Sequence, residues 1–134
     1  MEEFDFLTEQ TDDIIVSACP VLMDKSSNNY IWGYYLCIEN NSDDRIQLVG
    51  KNWNITDAAG RCYCDNSTGF KGEIPELEPG ECFEFTDTAP LSSSLAVFYG
   101  SCKVKHLGRG FTKDIKIPTF HLSTNKQTSS CLMN

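Results

Sequence analysis

The chain has 134 residues, a formal net charge of −8, 40% apolar and 22% charged residues. That length fits one domain with a core that needs no disulfide or metal to fold, and no apolar run approaches the roughly 18 residues of a membrane helix. The acidic balance opposes phosphate backbones and anionic lipid surfaces, so neither a nucleic acid nor a membrane is an expected partner.

Residues 1–13 carry six acids, Glu2, Glu3, Asp5, Glu9, Asp12 and Asp13, and no Lys or Arg. The segment lacks the basic start and apolar run of a secretory signal. It reads as an acidic N-terminal arm, flexible or weakly docked, on a cytoplasmic protein. The body follows from Ile14 to Leu122. Ile14 to Met23 is a short apolar run that ends at the turn-forming Lys25-Ser26-Ser27-Asn28-Asn29. Tyr30 to Asn40 alternates, with Trp32, Tyr34, Leu36 and Ile38 on one face, which predicts a half-buried strand.

The polar stretch Asn40 to Asp44 has the composition of a hairpin turn. It makes Arg45 to Thr56 the expected return strand, with Ile46, Leu48, Trp53 and Ile55 inward and a bulge at the break in alternation around Gly50. Asp57-Ala58-Ala59-Gly60 is another turn, leading into Arg61 to Asp65. Further on, Pro79-Gly80 opens a strand from Glu81 to Thr88 with Phe83 and Phe85 inward. Leu95 to Lys105 places Phe98, Gly100, Cys102 and Val104 on one face. Gly108-Arg109-Gly110 turns the chain into Phe111 to Leu122, where Pro118 points to an edge position. The tail, 123–134, is polar and without period. No helical period of about ten residues or more is present. About seven short strands with regular turns predict an all-β, antiparallel sandwich, ahead of a closed barrel.

Seven cysteines, an odd number, in a chain without a secretory signal argue for reduced thiols. Cys62-Tyr63-Cys64 resembles half a metal site, but no second pair is present to complete a tetrahedral shell. Small, partly buried thiols are the plainer reading. The late cluster Lys103, Lys105, His106, Arg109, Lys113 and Lys116 fits the solvated rim of a hairpin better than an anion site. The only histidines are His106 and His121, and Ser92-Ser93-Ser94 has no nucleophile-elbow context. Asp43, Asp44 and Asp57 fall in turns and fall short of the roughly six oxygens a hard cation takes. The expectation is a non-enzymatic protein without a cofactor.

The richest stretch is Ser67-Thr68-Gly69-Phe70-Lys71-Gly72-Glu73-Ile74-Pro75 followed by Leu77-Glu78-Pro79-Gly80-Glu81-Cys82-Phe83. Combined with Leu36-Cys37-Ile38-Glu39-Asn40, Trp53-Asn54-Ile55-Thr56-Asp57 and the closing Ile117-Pro118-Thr119-Phe120-His121-Leu122, it resembles the ApaG (CorD) family over residues 14–122. The resemblance implies an immunoglobulin/fibronectin-III-like sandwich. It also implies an association with cobalt and magnesium resistance and a genetic link to diadenosine tetraphosphate hydrolysis. Related domains in eukaryotic F-box and polymerase-delta-interacting proteins bind other proteins.

A G-x-G-x-x-G loop in the family has been suggested to hold pyrophosphate. Here Ser67 replaces the first glycine, and Asn52 stands where a His usually precedes the Trp. The loop leads into no helix whose N-terminus could meet a phosphate, and Glu73 follows it. Two functions stay open. One is a binding module for a protein or peptide, with Tyr30, Tyr35, Tyr99 and Phe70 as candidate exposed aromatics. The other is a sensor of a phosphate-containing small molecule, pyrophosphate or a dinucleotide polyphosphate, through Ser67, Gly69, Phe70, Lys71 and Gly72, with Lys71 and a nest of amides as its donors. A homodimer through open sheet edges is compatible with either.

Overall fold

A computed structural model describes residues 6–26 and 29–123. Residues 27–28 of the turn expected from the sequence, the tail from 124 and Cys131 within it lie outside the described residues. Nine strands are present among these residues, all paired antiparallel: β1 (Leu7–Thr11), β2 (Ile14–Ser26), β3 (Asn29–Asn40), β4 (Ile46–Asp57), β5 (Cys62–Asp65), β6 (Glu76–Leu77), β7 (Cys82–Leu91), β8 (Leu95–His106) and β9 (Phe111–Ser123). One sheet runs β1-β2-β3-β7; the other runs β5-β4-β8-β9, with β6 beside β4. The expected sandwich is therefore present, with two more strands than the alternation reveals.

The first extra strand lies inside the segment read as an arm. Leu7 to Thr11 pairs with Ala18 to Ile14 of β2, so these residues belong to the body. Asp12, at φ +53°, turns the chain back on itself, a conformation that a short polar side chain tolerates better than most. Across the sandwich, β1 meets β9: the Lys116 amide donates to Thr11 Oγ1 at 3.2 Å, and Lys113 pairs with Asp12. This flank of the sandwich is closed. On the opposite flank the outer strands are β5 and β7, and among the described residues no ladder joins them.

Asn40 to Asp44 is not a hairpin turn. β3 pairs with β2 and β7, and β4 with β5, β6 and β8, so this segment carries the chain from one sheet to the other. Buried Asn40 organises it. Its Nδ2 donates to the carbonyls of Asp44 and Leu77, and its Oδ1 accepts from the amide and hydroxyl of Ser42. Composition marks such a segment as polar and turning, but a side chain that ties two sheets together looks the same in sequence as one that caps a hairpin.

Asp44 fastens the crossover to the β8–β9 turn. It accepts the Gly108 amide at 2.9 Å and the Arg109 amide at 3.3 Å, and lies 3.4 Å from His106 Nδ1. Desolvation alone would raise its carboxyl. The two amides, His106 and Arg109 outweigh that and hold it below the usual carboxylate range. A depressed folded value means the contribution is present above the unfolded value near 4 and is lost as pH falls through the folded one. The expected result is that Asp44→Asn is less stable than the parent at neutral pH, with a gap that narrows below about pH 4. Urea unfolding at several pH values measures it; a gap constant from pH 7 to well below 4 would show that the charge plays no part.

The core lies between the sheets. Trp32, Tyr34, Leu36 and Ile38 of β3 face Leu48, Trp53 and Ile55 of β4 and Phe98, Cys102 and Val104 of β8, all buried. The expected bulge is present between Leu48 and Gly50. It matters for the site, because it puts Lys51 on the same inward face as Trp53 and Ile55. Pro118 lies within β9, an outer strand as expected, beside a second irregularity between Phe98 and Gly100 of β8.

Candidate functional site

The glycine loop closes onto β4. Lys51 N donates to Ser67 O at 3.0 Å and Gly69 N to Val49 O at 2.8 Å. Phe70 and Glu73 then exchange both backbone hydrogen bonds, at 2.7 and 3.1 Å. Between them Lys71 and Gly72 have φ of +53° and +87°, which is the signature of a type I′ turn. The amides of Gly69, Phe70 and Glu73 are thus committed within the protein. Ser67 is committed too: its amide and hydroxyl both donate to Asp65 Oδ1, at 3.1 and 2.6 Å. The amides of Lys71 and Gly72, at the tip of the turn, are what remains of the expected anion nest.

The turn drives Phe70 inward, where it is 1% exposed. Its ring packs edge-on against Trp53, Phe83 and Phe85 with centroids 5.8, 5.4 and 5.3 Å away. Phe70 is a core residue, which corrects its reading as an exposed recognition aromatic and as part of a ligand surface. Inside this aromatic box lies the ammonium of Lys51, whose side chain is only 5% exposed. Nζ is 5.3, 5.5 and 5.4 Å from the centroids of Trp53, Phe70 and Phe85 and 3.4 Å from Asp65 Oδ2. Three ring faces and a carboxylate compensate the desolvated cation. Burial would raise the Asp65 carboxyl, but the Ser67 hydroxyl and amide and the Lys51 ammonium bring it below its usual range.

Beside this cluster the sandwich gapes. A cleft of about 300 Å³ opens between β5 and β7, floored by Tyr34, Trp53, Ile55 and Phe98. Tyr63, Cys64 and Asp65 form one lip; Asp87 to Leu91 form the other. Tyr34 is held firmly as the neutral phenol, by burial first and by the negative charges of Asp87 and Asp65 second. Cys102, behind the Trp53 indole, stays a thiol: burial pushes it up to about 12.

Lys71 lies on the β7 side. Its Nζ donates to the carbonyl of Thr86 at 3.1 Å and pairs with Asp87 at 3.5 Å. Asp87 in turn accepts the amide of Thr88 at 2.8 Å, and Pro90 two residues on has no N–H to offer. The free side of β7 is therefore stopped at three successive outward positions, a recognised way of blunting an edge.

Of the predicted ligand residues, Ser67 and Gly69 shape the loop, Phe70 fills the core, Lys71 covers the β7 edge and Gly72 completes the turn. Tyr30 is partly buried against the core, Tyr35 is half-buried and meets the Phe6 ring at a tilted angle with centroids 5.4 Å apart, and Tyr99 is exposed. The cleft and buried Lys51 escaped the sequence reading. The bulge at Gly50 was the signal for Lys51, since inward Trp53 and Ile55 imply an inward residue two positions earlier.

A family model described as the ApaG domain matches residues 20–106. The protein ApaG of Mesorhizobium japonicum is 41% identical over 99 residues, covering 74% of this chain and 75% of that relative. The chain belongs to the ApaG family. ApaG of Brucella canis is 36% identical over 107 residues, 80% of this chain and 82% of its own. The crystal structure of a Bordetella pertussis protein described as ApaA superposes with a TM-score of 0.79 at 25% identity, covering 92% of this chain and 98% of that one. In this ApaG chain Asn52, in the place where the resemblance leads one to expect His, lies exposed on β4. Among the described residues no three His, Cys, Asp or Glu side chains converge to hold a metal ion. No helix of the described residues is long and apolar enough to cross a membrane.

Proposed function

We propose that this ApaG domain is a non-enzymatic binding module that takes a segment of a protein or peptide partner into the cleft between β5 and β7. The observation that supports this reading is the cleft itself: a hollow of about 300 Å³ between two outer strands, backed by the buried rings of Tyr34, Trp53 and Phe98 and rimmed by the exposed Tyr63 and Thr88. Apolar clefts of this size with a few polar groups at the lip are the usual form of a recognition site, and bulky aromatic floors favour an inserted apolar side chain. On this reading the cobalt and magnesium association of the family acts through a partner. A polyphosphate at the glycine loop is the weaker reading, because only the two amides at the turn tip and a Lys71 already paired with Asp87 are available to it.

Two substitutions at exposed lip positions test the proposal without touching the core. Peptides selected on the parent from a random display library are expected to lose at least about tenfold in affinity, roughly 1.4 kcal/mol, towards Tyr63→Ala and Thr88→Arg. Both variants should melt with the parent. A library that yields no enriched peptide, or peptides that bind the variants as well as the parent, would overturn the assignment.

A further inference from the structure

The exposed strand β5 carries two thiols, Cys62 and Cys64, of which only Cys64 borders the cleft. Cys62 and Cys64 stand two residues apart on one strand and so point to the same side. Their sulfurs are 3.5 Å apart, and both residues are exposed. The other described thiols are differently placed: Cys19 and Cys102 are buried, while half-buried Cys37 on β3 interacts with Cys82 on the adjacent β7, both in the sheet that does not contain β5.

We propose that Cys62 and Cys64 form a chelating site for a soft monovalent metal ion of the Cu(I) class. Three observations select that chemistry. The ligands are two thiols, which favour soft ions over hard ones. Among the described residues no third His, Cys, Asp or Glu completes a metal set, so the four-ligand shell of a structural zinc is not built, whereas a two-coordinate ion needs nothing more. A disulfide is the competing use of such a pair, but Cα atoms two apart on a strand are separated by about 6.6–6.8 Å, the outer limit of disulfide geometry. The pair is better placed to share an ion than to close a bond.

The surroundings fit the charge change. Binding replaces two S–H protons by one ion: two thiols and M⁺ give a dithiolate complex of charge −1 and two released H⁺. Asn54 Oδ1 accepts the Cys64 thiol at 3.2 Å. Once that proton leaves, rotation of the Asn54 amide presents its NH₂ to the thiolate, so the same residue serves both states. Proton release makes uptake tighter as pH rises. The site does not depend on whether the cleft takes a peptide.

The experiment uses the reduced, full-length chain carrying Cys131→Ser, which removes the one thiol beyond the described residues. Cu(I) is supplied without oxygen from a chromogenic chelator. The expected result is one Cu(I) withdrawn per chain, more tightly at higher pH. Either Cys62→Ser or Cys64→Ser should weaken uptake by about a hundredfold or more, the advantage two linked ligands hold over one. Cys37→Ser and Cys82→Ser should bind as the parent does. Both cysteines are exposed, so melting temperatures should match, and equal melting separates lost ligation from lost folding. Copper that stays with the chelator, uptake undiminished by Cys62→Ser and Cys64→Ser, or uptake that follows Cys37 or Cys82 would overturn the proposal.

Discussion

Phe70→Ala is expected to destabilise the protein by about 3–5 kcal/mol, the range for deleting a buried aromatic ring. Domains are held by roughly 5–15 kcal/mol in total, so the variant should melt on the order of 10 °C or more below the parent. The magnitude follows from where the ring sits. It is among the largest fully buried side chains, it touches Trp53, Phe83 and Phe85, and it forms one wall around the Lys51 ammonium. Its loss opens a cavity and also strips a cation of part of its compensation, and the second effect cannot relax by apolar collapse. Urea unfolding of the parent and variant measures the difference. A loss below about 1 kcal/mol would mean that the loop does not deliver this ring to the core.

Gly100→Ala should cost about 3 kcal/mol or more, combining backbone strain with overpacking. Gly100 has φ of +153°, and a β-carbon there would stand 2.1 Å from the Asn52 carbonyl oxygen and 3.0 Å from the Trp53 α-carbon. Both obstacles are backbone, so no side-chain rotation relieves them. Gly100 pairs directly with Trp53 across the β4–β8 ladder, and relief would have to come from displacing the strand that floors the cleft. The variant should therefore lose stability and alter Trp53 fluorescence together. An alanine variant that melts with the parent would show that the ladder yields at this bulge.

Much of the fold is legible in the sequence because alternation is a local signal. Trp32, Tyr34, Leu36 and Ile38 declare their face within a few residues, and the same holds for Phe98, Cys102 and Val104. Pairing is not local. Nothing between Asn40 and Asp44 says that the next strand joins the other sheet, and a crossover can have the composition of a hairpin turn. Leu7 to Thr11 looks like part of an arm because acids flank it on both sides, although a short outer strand needs few apolar residues. The glycine loop misled for a related reason. Glycines report where φ is positive, and Gly69 and Gly72 are positive, but they do not report whether the amides so arranged face a ligand or the protein's own carbonyls. The cleft was illegible because it is made by an absence, two outer strands that do not pair.

The stop on β7 has a consequence for how this molecule behaves in a crowd. Unguarded strands recruit neighbours, and concentrated solutions of such proteins drift toward stacked assemblies. Here the safeguard at Thr86 and Thr88 is electrostatic: an ammonium from the glycine loop and a carboxylate from the strand itself. Exposed ion pairs of this kind weaken as salt screens them, whereas the missing N–H at Pro90 is permanent. Colloidal stability thus has a fixed component at one end of the strand and an adjustable one at its middle, and ionic strength acts on the second alone.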